Sequence, residues 1–396
     1  MISHRILQPC VLHYTNSIDS EEHMMNKLGF GCMRLPLLDV DDQSTIDYDA
    51  FKTMVDRFLD QGGTYFDTAY MYHSHVSEIA VRECLVKRHP RDSFTVASKL
   101  PTMFLKETGD QERIFAEQLE KVGVEYFDYY LLHNLTVSHY RNVVEYDSFA
   151  FIQRMKDEGK IGQIGFSFHD SADLLDQILC EHPEVDFVQL QINYIDWDNA
   201  GIQSRACYEV ARKHQVPIVV MEPVKGGMLA DLPPHAARLF SRYDSSASQA
   251  SWAVRFAAGL EGVTVVLSGM SNMEQLSDNL SYMIDFKPLS QEEQQVVSQV
   301  VSILNEQIAV ACTACRYCVD ECPEQIAIPE YFALLNSKRI SGAEKNSIHN
   351  LYYRNIVDSG RGKASACIAC GACEAACPQH LQIIHHLKEV VSALEN

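Results

Sequence analysis

Short apolar segments alternate along most of the chain with longer segments whose apolar residues recur every three to four positions. The short segments predict eight strands, near residues 28–33, 64–67, 94–98, 127–132, 161–166, 186–191, 216–221 and 263–267. The longer segments predict helices at 48–61, 76–87, 111–122, 143–158, 171–181, 201–214, 246–258 and 272–284. Apolar strands that alternate with helices are typical of a parallel sheet covered on its outer face. Eight such units favour an α/β fold of the closed (β/α)8, or TIM-barrel, type over an open doubly wound sheet.

A further helix is predicted where this alternation ends. Ser290 and Glu293 have the spacing of a capping box, and a stripe of valine and leucine follows them. A chain of 396 residues is long enough for one large core and a smaller module. We therefore predict a poorly defined extension at 1–25, a barrel at 26–289, a connecting helix at 290–309 and a small, mostly α-helical domain at 310–396.

Eight of the thirteen cysteines form two runs of identical spacing, and both runs end in Cys-Pro. Three thiolates at intervals of three wrap one [4Fe-4S] cluster, and the cysteine before proline serves the other cluster in two-cluster ferredoxins. This rule assigns Cys312, Cys315, Cys318 and Cys377 to one cluster, and Cys367, Cys370, Cys373 and Cys322 to the second. Structural zinc, the weaker alternative, usually takes pairs of cysteines separated by a long loop. The helical insertion between the runs resembles the α-helical ferredoxin type.

Four polar residues stand at the ends of consecutive predicted strands: Asp67 and Tyr72 after the second, Lys99 after the third and His133 after the fourth. Strand ends of a barrel converge on one face, so these side chains should meet there. Each residue alone also has an ordinary structural explanation, such as a helix cap or a core histidine.

Together these residue types fit the reduction of a carbonyl, which needs a proton for the oxygen as hydride reaches the carbon. A tyrosine with a pKa near 10 is a poor donor at neutral pH, whereas a nearby ammonium lowers that pKa. We therefore predict Tyr72 as the general acid/base, Lys99 as the residue that lowers its pKa and Asp67 as the anchor of Lys99. His133 would orient the carbonyl by a hydrogen bond.

The Asp-Thr-Ala-x-x-Tyr context of residues 67–72, with Lys99 and His133, resembles the aldo-keto reductase family over roughly residues 26–285. With the cysteine runs, the chain is similar to the iron-sulfur-bearing branch of that family. The resemblance implies that NADP(H) or NAD(H) lies across the C-terminal mouth of the barrel. The implied cofactor contacts are Gly31, Cys32, Met33, Asp67, Ser167, Gln189, Met221, Glu222, Val224, Gly226, Gly227, Ser268, Gly269, Gln275, Asp278 and Asn279.

Four positions depart from the family pattern. Phe168 stands where asparagine is common. Met221 takes the place of the aromatic residue that usually stacks on the nicotinamide, and a thioether can also cover the ring. Gly269 and Gln275 replace the Lys and Arg that often clamp a 2′-phosphate, which leaves the preference between NADP and NAD open.

The formal net charge of −20 disfavours nucleic acid and anionic membranes as partners. Without a long apolar run or a signal-peptide pattern at the N-terminus, we expect a cytoplasmic protein. The leading hypothesis is a nicotinamide-dependent oxidoreductase that interconverts a small carbonyl compound and an alcohol, with clusters that could serve a redox partner protein. The alternatives are an electron-transfer protein whose barrel mainly binds nucleotide, and a reductase whose clusters are structural or redox-sensing.

Overall fold

The computed structural model describes residues 27–39, 42–200, 202–306, 310, 312, 316–341, 343, 347–377 and 381–395. The predicted extension at 1–25 and the predicted ligand Cys315 lie outside these residues. No helix among the described residues is long and apolar enough to cross a membrane.

A closed barrel of parallel strands forms the larger part of the molecule, as predicted. Its strands are β1 Leu28–Gly31, β2 Tyr65–Asp67, β3 Thr95–Leu100, β4 Phe127–Leu135, β5 Ile161–Phe168, β6 Phe187–Gln191, β7 Ile218–Met221 and β8 Val263–Ser268. Each strand pairs with the next, and β8 pairs with β1 through Gly29 and Leu267. The barrel interior is filled by a cluster of side chains that includes Tyr65, Leu131 and Phe187.

Helices cover the outside of the barrel. They are α1 Tyr48–Asp60, α2 Ser77–Val81, α3 Asp110–Val122, α4 Val137–Glu145, α5 Ser148–Asp157, α6 Ala172–Glu181, α7 Ser204–Lys213, α8 Pro234–Tyr243, α9 Gln249–Ala258 and α10 Met273–Met283. Helix α2 continues into a π-helical turn at Arg82–Val86, and short 3-10 helices lie at Arg91–Ser93, Thr102–Phe104 and Lys225–Ala230.

Two helix predictions were wrong. The segment 143–158 contains parts of two helices, because Asp147 has a φ of 52° and this left-handed backbone interrupts the helix. Helix α8 lies between β7 and α9, where the hydrophobic pattern predicted no helix. Its start is set by Pro234, a residue suited to the first helical turn.

The C-terminal part of the chain is helical. It contains α11 Gln291–Asn305, α12 Tyr317–Asp320, α13 Ile328–Ser341, α14 Ile348–Asp358, α15 Ala372–Ala375 and α16 Ile383–Val390, with a 3-10 helix at Ala364–Ala366 and a π-helical end at Val391–Glu395. The capping box of α11 is confirmed, since the Glu293 N–H donates to Ser290 Oγ and the Ser290 N–H donates to Glu293 Oε2. Helix α11 packs on the barrel helix α8.

Helix α14 lies against the C-terminal mouth of the barrel. Asn355 Nδ2 donates to the His169 carbonyl at 2.7 Å, and Arg141 Nη2 donates to the Asp358 carbonyl at 3.1 Å. His169 directly follows β5, and Arg141 lies on the helix that follows β4. The cysteine-rich domain therefore docks at the end of the barrel where the loops after the strands gather.

Candidate active site and cysteine centre

The four predicted catalytic residues occur where β2, β3 and β4 reach the mouth. Asp67 is the last residue of β2, and Tyr72 lies on the loop that follows. Lys99 and His133 lie within β3 and β4, and not just after them as predicted, because both strands extend further than their apolar runs suggest.

Lys99 connects the members of this group. Its Nζ donates to Asp67 Oδ1 at 2.5 Å, to the Thr68 carbonyl at 2.8 Å and to the Tyr72 hydroxyl at 3.2 Å. The second carboxylate oxygen of Asp67 accepts from Gln189 Nε2 at 3.1 Å. All three donor positions of the ammonium are therefore used, and both oxygens of its carboxylate partner are satisfied.

Lys99 is fully buried, and burial alone lowers the pKa of a lysine. Asp67 and Tyr72 more than offset this effect, so the net pKa of Lys99 is raised. The side chain stays an ammonium at neutral pH, as a proton-donating partner of Tyr72 must be.

The pKa of Tyr72 differs from the prediction. Burial raises the pKa, Lys99 lowers it, and Asp67 raises it again, with a net pKa above the ordinary 10. Sequence reasoning considered the ammonium and left out the cost of burying a phenolate. In the structure Tyr72 is therefore held in its protonated form.

His133 stands beside Tyr72, with ring centroids 5.9 Å apart in an edge-to-face arrangement. Burial, Lys99 and the neighbouring His169 lower the pKa of His133 well below 6.5, so its imidazole is neutral. Its Nδ1 is buried without a hydrogen-bond partner among the described residues. A neutral imidazole at this place can donate one hydrogen bond to a substrate oxygen.

The residues predicted to meet the nicotinamide end of a cofactor lie on neighbouring strands. Ser167 and Gln189 pair directly between β5 and β6, and Met221 ends β7, where it is partly exposed. Ser167 Oγ accepts from the Asn134 N–H at 2.7 Å, which fixes the hydroxyl orientation.

On the side of β1, the predicted contacts differ in exposure. Gly31 ends the strand, the Cys32 thiol is buried, and Met33 is 54% exposed. Burial raises the pKa of Cys32, so this thiol is unreactive.

The residues predicted for the adenosine end have partners within the protein. Asn279 donates to Ser268 Oγ at 2.6 Å and accepts from the Tyr282 hydroxyl. Asp278 Oδ2 accepts from Ser248 Oγ at 2.7 Å, and Gln275 Oε1 accepts from the Ser271 N–H at 2.8 Å. These contacts tie α10 to the end of β8 and to the neighbouring α9.

The loop after β7 has an unusual backbone. Glu222, Lys225, Gly226 and Gly227 have φ values of 55°, 49°, 66° and 101°. Only glycine adopts such values without cost, so the loop must be held in place at its two non-glycine positions. Val224 packs into the barrel core between them.

Arg34 was missed by the sequence analysis. It follows β1 and lies between the loops after β7 and β8: a methyl group added to Gly226 would lie 3.4 Å from Arg34 Nη2, and one added to Gly269 would lie 3.1 Å from Arg34 Cβ. The guanidinium is 3.9 Å from Glu222 Oε1, and the side chain is about half exposed. The signal available in the sequence was a basic residue just after the first barrel strand.

A second buried ion pair, also missed, joins Lys225 to Asp196. Asp196 Oδ2 accepts from Gln191 Nε2 at 3.0 Å and from Asn193 Nδ2 at 2.9 Å. Burial raises the pKa of Asp196, but Lys225 and these amides lower it by more, so the group is a carboxylate. Lys225 Nζ also donates to Ser337 Oγ of the C-terminal domain at 2.9 Å.

The described cysteines of the two runs lie in or against one small core, except for Cys370, which is exposed. A cavity is lined by Cys322 together with Cys367, Cys370 and Cys373, and its remaining walls include Ile326, Ile328 and Leu387. Burial, with the thiols of Cys367 and Cys322 nearby, raises the pKa of Cys373 to about 11. The structure thus places the Cys-Pro cysteine of the first run beside the first three cysteines of the second run.

The two runs also share a backbone turn. Arg316 and Gly371 occupy equivalent positions and have φ values of 68° and 79°, and each precedes a one-turn helix. The Cys322 N–H then donates to the Val319 carbonyl, just as the Cys377 N–H donates to the Glu374 carbonyl. Cys318 and Cys377 are buried in the same core, which Cys312 contacts.

The fold and the site define a parallel (β/α)8 barrel with a buried Asp-Lys-Tyr group, joined to a cysteine-rich helical domain. The aldo/keto reductase family model matches residues 27–302, and the chain belongs to this family. A 4Fe-4S dicluster domain model matches residues 311–382. Both findings confirm the predicted family and architecture.

Solved structures of similar fold support the barrel. The holo form of aldo-keto reductase AKR11C1 from Bacillus halodurans is 21% identical, with a TM-score of 0.56 over 69% of this chain and 91% of that one. An aldo-keto reductase from Klebsiella pneumoniae in complex with NADPH is 20% identical, with a TM-score of 0.55 over 69% and 90%. One from Brucella melitensis is 19% identical, with a TM-score of 0.51 over 69% and 94%. No curated protein sequence matches the chain.

Proposed function

We propose that this protein is an NAD(P)-dependent oxidoreductase that interconverts an aldehyde or ketone and the corresponding alcohol. The observation that carries the proposal is the Lys99 ammonium, which holds Asp67 and the Tyr72 hydroxyl at the same time. A barrel that only bound nucleotide for electron transfer would have no need of this tyrosine beside a buried ammonium. The enzymatic function is therefore favoured over the binding function.

Each residue of the group has one role. Tyr72 donates its phenolic proton to the carbonyl oxygen during reduction, and Lys99 stabilises the phenolate that remains. Asp67 keeps Lys99 charged and in place. The neutral His133 donates a hydrogen bond to the carbonyl oxygen and so orients it beside Tyr72. A bound nicotinamide supplies or accepts the hydride at the carbonyl carbon.

The residues at the mouth fit such a cofactor. Ser167 and Gln189 offer hydroxyl and amide groups for the carboxamide, and Met221 offers a thioether face for the ring. The left-handed Gly226 and Gly227 let the backbone approach a diphosphate. Arg34 lies against both the β7 and the β8 loops, and its guanidinium would bind a nucleotide phosphate.

Tyr72→Phe tests the proposal. Anaerobically purified variant should keep nucleotide affinity and lose about 10² or more in carbonyl reduction, the usual scale of general acid catalysis. Tyr70→Phe is the matched control, because Tyr70 lies on the same loop and its hydroxyl donates to Glu117 away from Lys99. Equal turnover in Tyr72→Phe and wild type would contradict the role of Tyr72.

We also propose two [4Fe-4S] clusters with crossed ligation. The cavity that groups Cys322 with Cys367, Cys370 and Cys373 supports the assignment, and the equivalent turn at Arg316 supports a matching site for Cys312, Cys315, Cys318 and Cys377. Bound clusters supply one-electron transfer.

Reconstituted protein should contain about eight irons. Paramagnetic resonance of reduced Cys322→Ser should show a change in the centre held by Cys367, Cys370 and Cys373, and Cys377→Ser should change the other centre. Cys180→Ser, an exposed cysteine outside the runs, is the control. A change confined to the centre next to each substitution in sequence would rule out crossed ligation.

A further inference from the structure

The loop after β7 contains a lysine of left-handed backbone conformation whose side chain reaches the C-terminal domain. Lys225 has a φ of 49°, and Gly226 and Gly227 follow it directly. Its side chain is only 4% exposed, which is unusual for a lysine next to a glycine turn. The conformation of this loop therefore depends on what the buried ammonium contacts.

The ammonium has one partner in each domain. Asp196, on the loop after β6, accepts from Lys225 Nζ within the barrel. Ser337 Oγ, on α13 of the cysteine-rich domain, accepts from the same nitrogen at 2.9 Å. Lys225 and Ser337 are 112 residues apart in the sequence and lie in different domains, so their contact exists only when the two domains are docked.

The hydrogen bonds beyond Ser337 have a fixed direction. An ammonium can only donate, so Ser337 Oγ accepts from Lys225 and uses its own proton for His349 Nε2, 2.9 Å away. Burial, with Lys225 nearby, lowers the pKa of His349 to about 3, so the imidazole is neutral and can accept. The loop, Ser337 and α14 thus form one chain of hydrogen bonds.

We propose that Ser337 is a positioning residue of the nucleotide site: by holding Lys225, the iron-sulfur domain fixes the loop 222–227 in the conformation that receives the nucleotide. The inference rests on the proposed nicotinamide function and deepens it. The coupling is reciprocal by thermodynamic necessity. A nucleotide that fixes the loop must also stabilise the docked iron-sulfur domain.

Calorimetric titration of the full, cluster-loaded chain with NADP⁺ and NAD⁺ tests whether Ser337 supports nucleotide binding. Ser337→Ala should weaken binding of both nucleotides about five- to tenfold, the lower range of allosteric couplings. Ser337→Thr keeps the hydroxyl and should restore affinity to within about twofold of wild type. Ser341→Ala is the control, because this serine on the same helix donates only to the local Lys338 carbonyl.

Loss of iron to a chelator tests whether bound nucleotide stabilises the docked iron-sulfur domain. Saturating nucleotide should slow iron release from the wild type several-fold, and Ser337→Ala should lose this protection. If Ser337→Ala fails to retain its clusters, iron release from the wild type with and without nucleotide is by itself the test of the inference.

Unchanged affinity in Ser337→Ala, or unprotected iron in a wild type that binds nucleotide, would overturn the inference. A wild type that binds neither nucleotide would instead contradict the proposed function, and the inference with it.

Discussion

Among its described residues the barrel contains two buried lysine–aspartate pairs, which differ in the next group that the lysine contacts. Lys99 holds Asp67 and donates to Tyr72, a hydroxyl that can give up a proton at the barrel mouth. Lys225 holds its own aspartate and donates to Ser337, a hydroxyl that links two domains. A buried ion pair adds little net stability in general, so its presence alone assigns no role. The hydroxyl that each lysine contacts is what distinguishes the proposed catalytic lysine from the lysine that links the two domains.

Replacing each lysine by methionine is the sharpest way to break the comparison. Removing one partner of a buried ion pair costs about 3 to 5 kcal/mol of stability because the other charge is left uncompensated. Both Lys99→Met and Lys225→Met should therefore lower the thermal midpoint. At saturating nucleotide, only Lys99→Met should also lose about 10² or more in turnover, because of the two lysines only Lys99 contacts the Tyr72 hydroxyl.

Turnover and thermal denaturation of the two variants should be measured on cluster-loaded protein. Lys52→Met is a suitable control, since its ion pair with Asp49 is exposed and such pairs are worth about 0 to 1 kcal/mol. Equal loss of turnover in both buried variants would mean that the contacted hydroxyl does not distinguish the two pairs.

The pH dependence of carbonyl reduction tests the role that is proposed for Tyr72. The pKa of Tyr72 is raised above 10, so the protonated acid is fully present below that pH and is lost only as pH rises through the raised value. The pKa of His133 is lowered well below 6.5, so its imidazole does not change charge above pH 6.5. Carbonyl reduction should be flat from about pH 7 to pH 9. A fall in rate with a midpoint inside this range would contradict the Tyr72 assignment.

A substitution of Arg34 has a smaller expected effect, because its ion pair is partly exposed to solvent, whereas the ion pairs of the two lysines are buried. Arg34→Gln should weaken NADP⁺ binding about tenfold, equal to roughly 1.4 kcal/mol. Arg34→Lys keeps the charge and should lose less. A loss for NADP⁺ alone would place the guanidinium at the 2′-phosphate, and an equal loss for NAD⁺ would place it at the diphosphate. Unchanged affinity for both nucleotides would exclude Arg34 from the site.

The first ion pair could be predicted from the sequence because its members end consecutive strands of a regular fold. Parallel strands in a barrel bring Asp67 and Lys99 to the same face, and the family resemblance names their partner Tyr72. The capping box at Ser290 could be predicted for a similar reason, since its two residues are three positions apart. Local spacing and repeated topology were sufficient in these cases.

The contact of the second pair with the C-terminal domain could not be found in this way. Lys225 meets Ser337 across 112 residues and a domain boundary, and no short motif encodes that contact. The raised pKa of Tyr72 was missed for another reason, since a list of neighbouring charges does not contain the cost of desolvation. The pattern of strands and helices predicts neither the contacts between distant parts of the chain nor the cost of burying a charged group.

The grouping of Cys322 with the second run of cysteines has a consequence for biosynthesis. The 44 residues between Cys322 and Cys367 must be made before the cavity has all four of its thiols. The barrel, which precedes them, can already have left the ribosome and folded by then. A cluster proposed for this cavity can therefore be completed only after the barrel has been synthesised, and starving a cell of iron should leave a folded barrel whose C-terminal domain lacks its clusters.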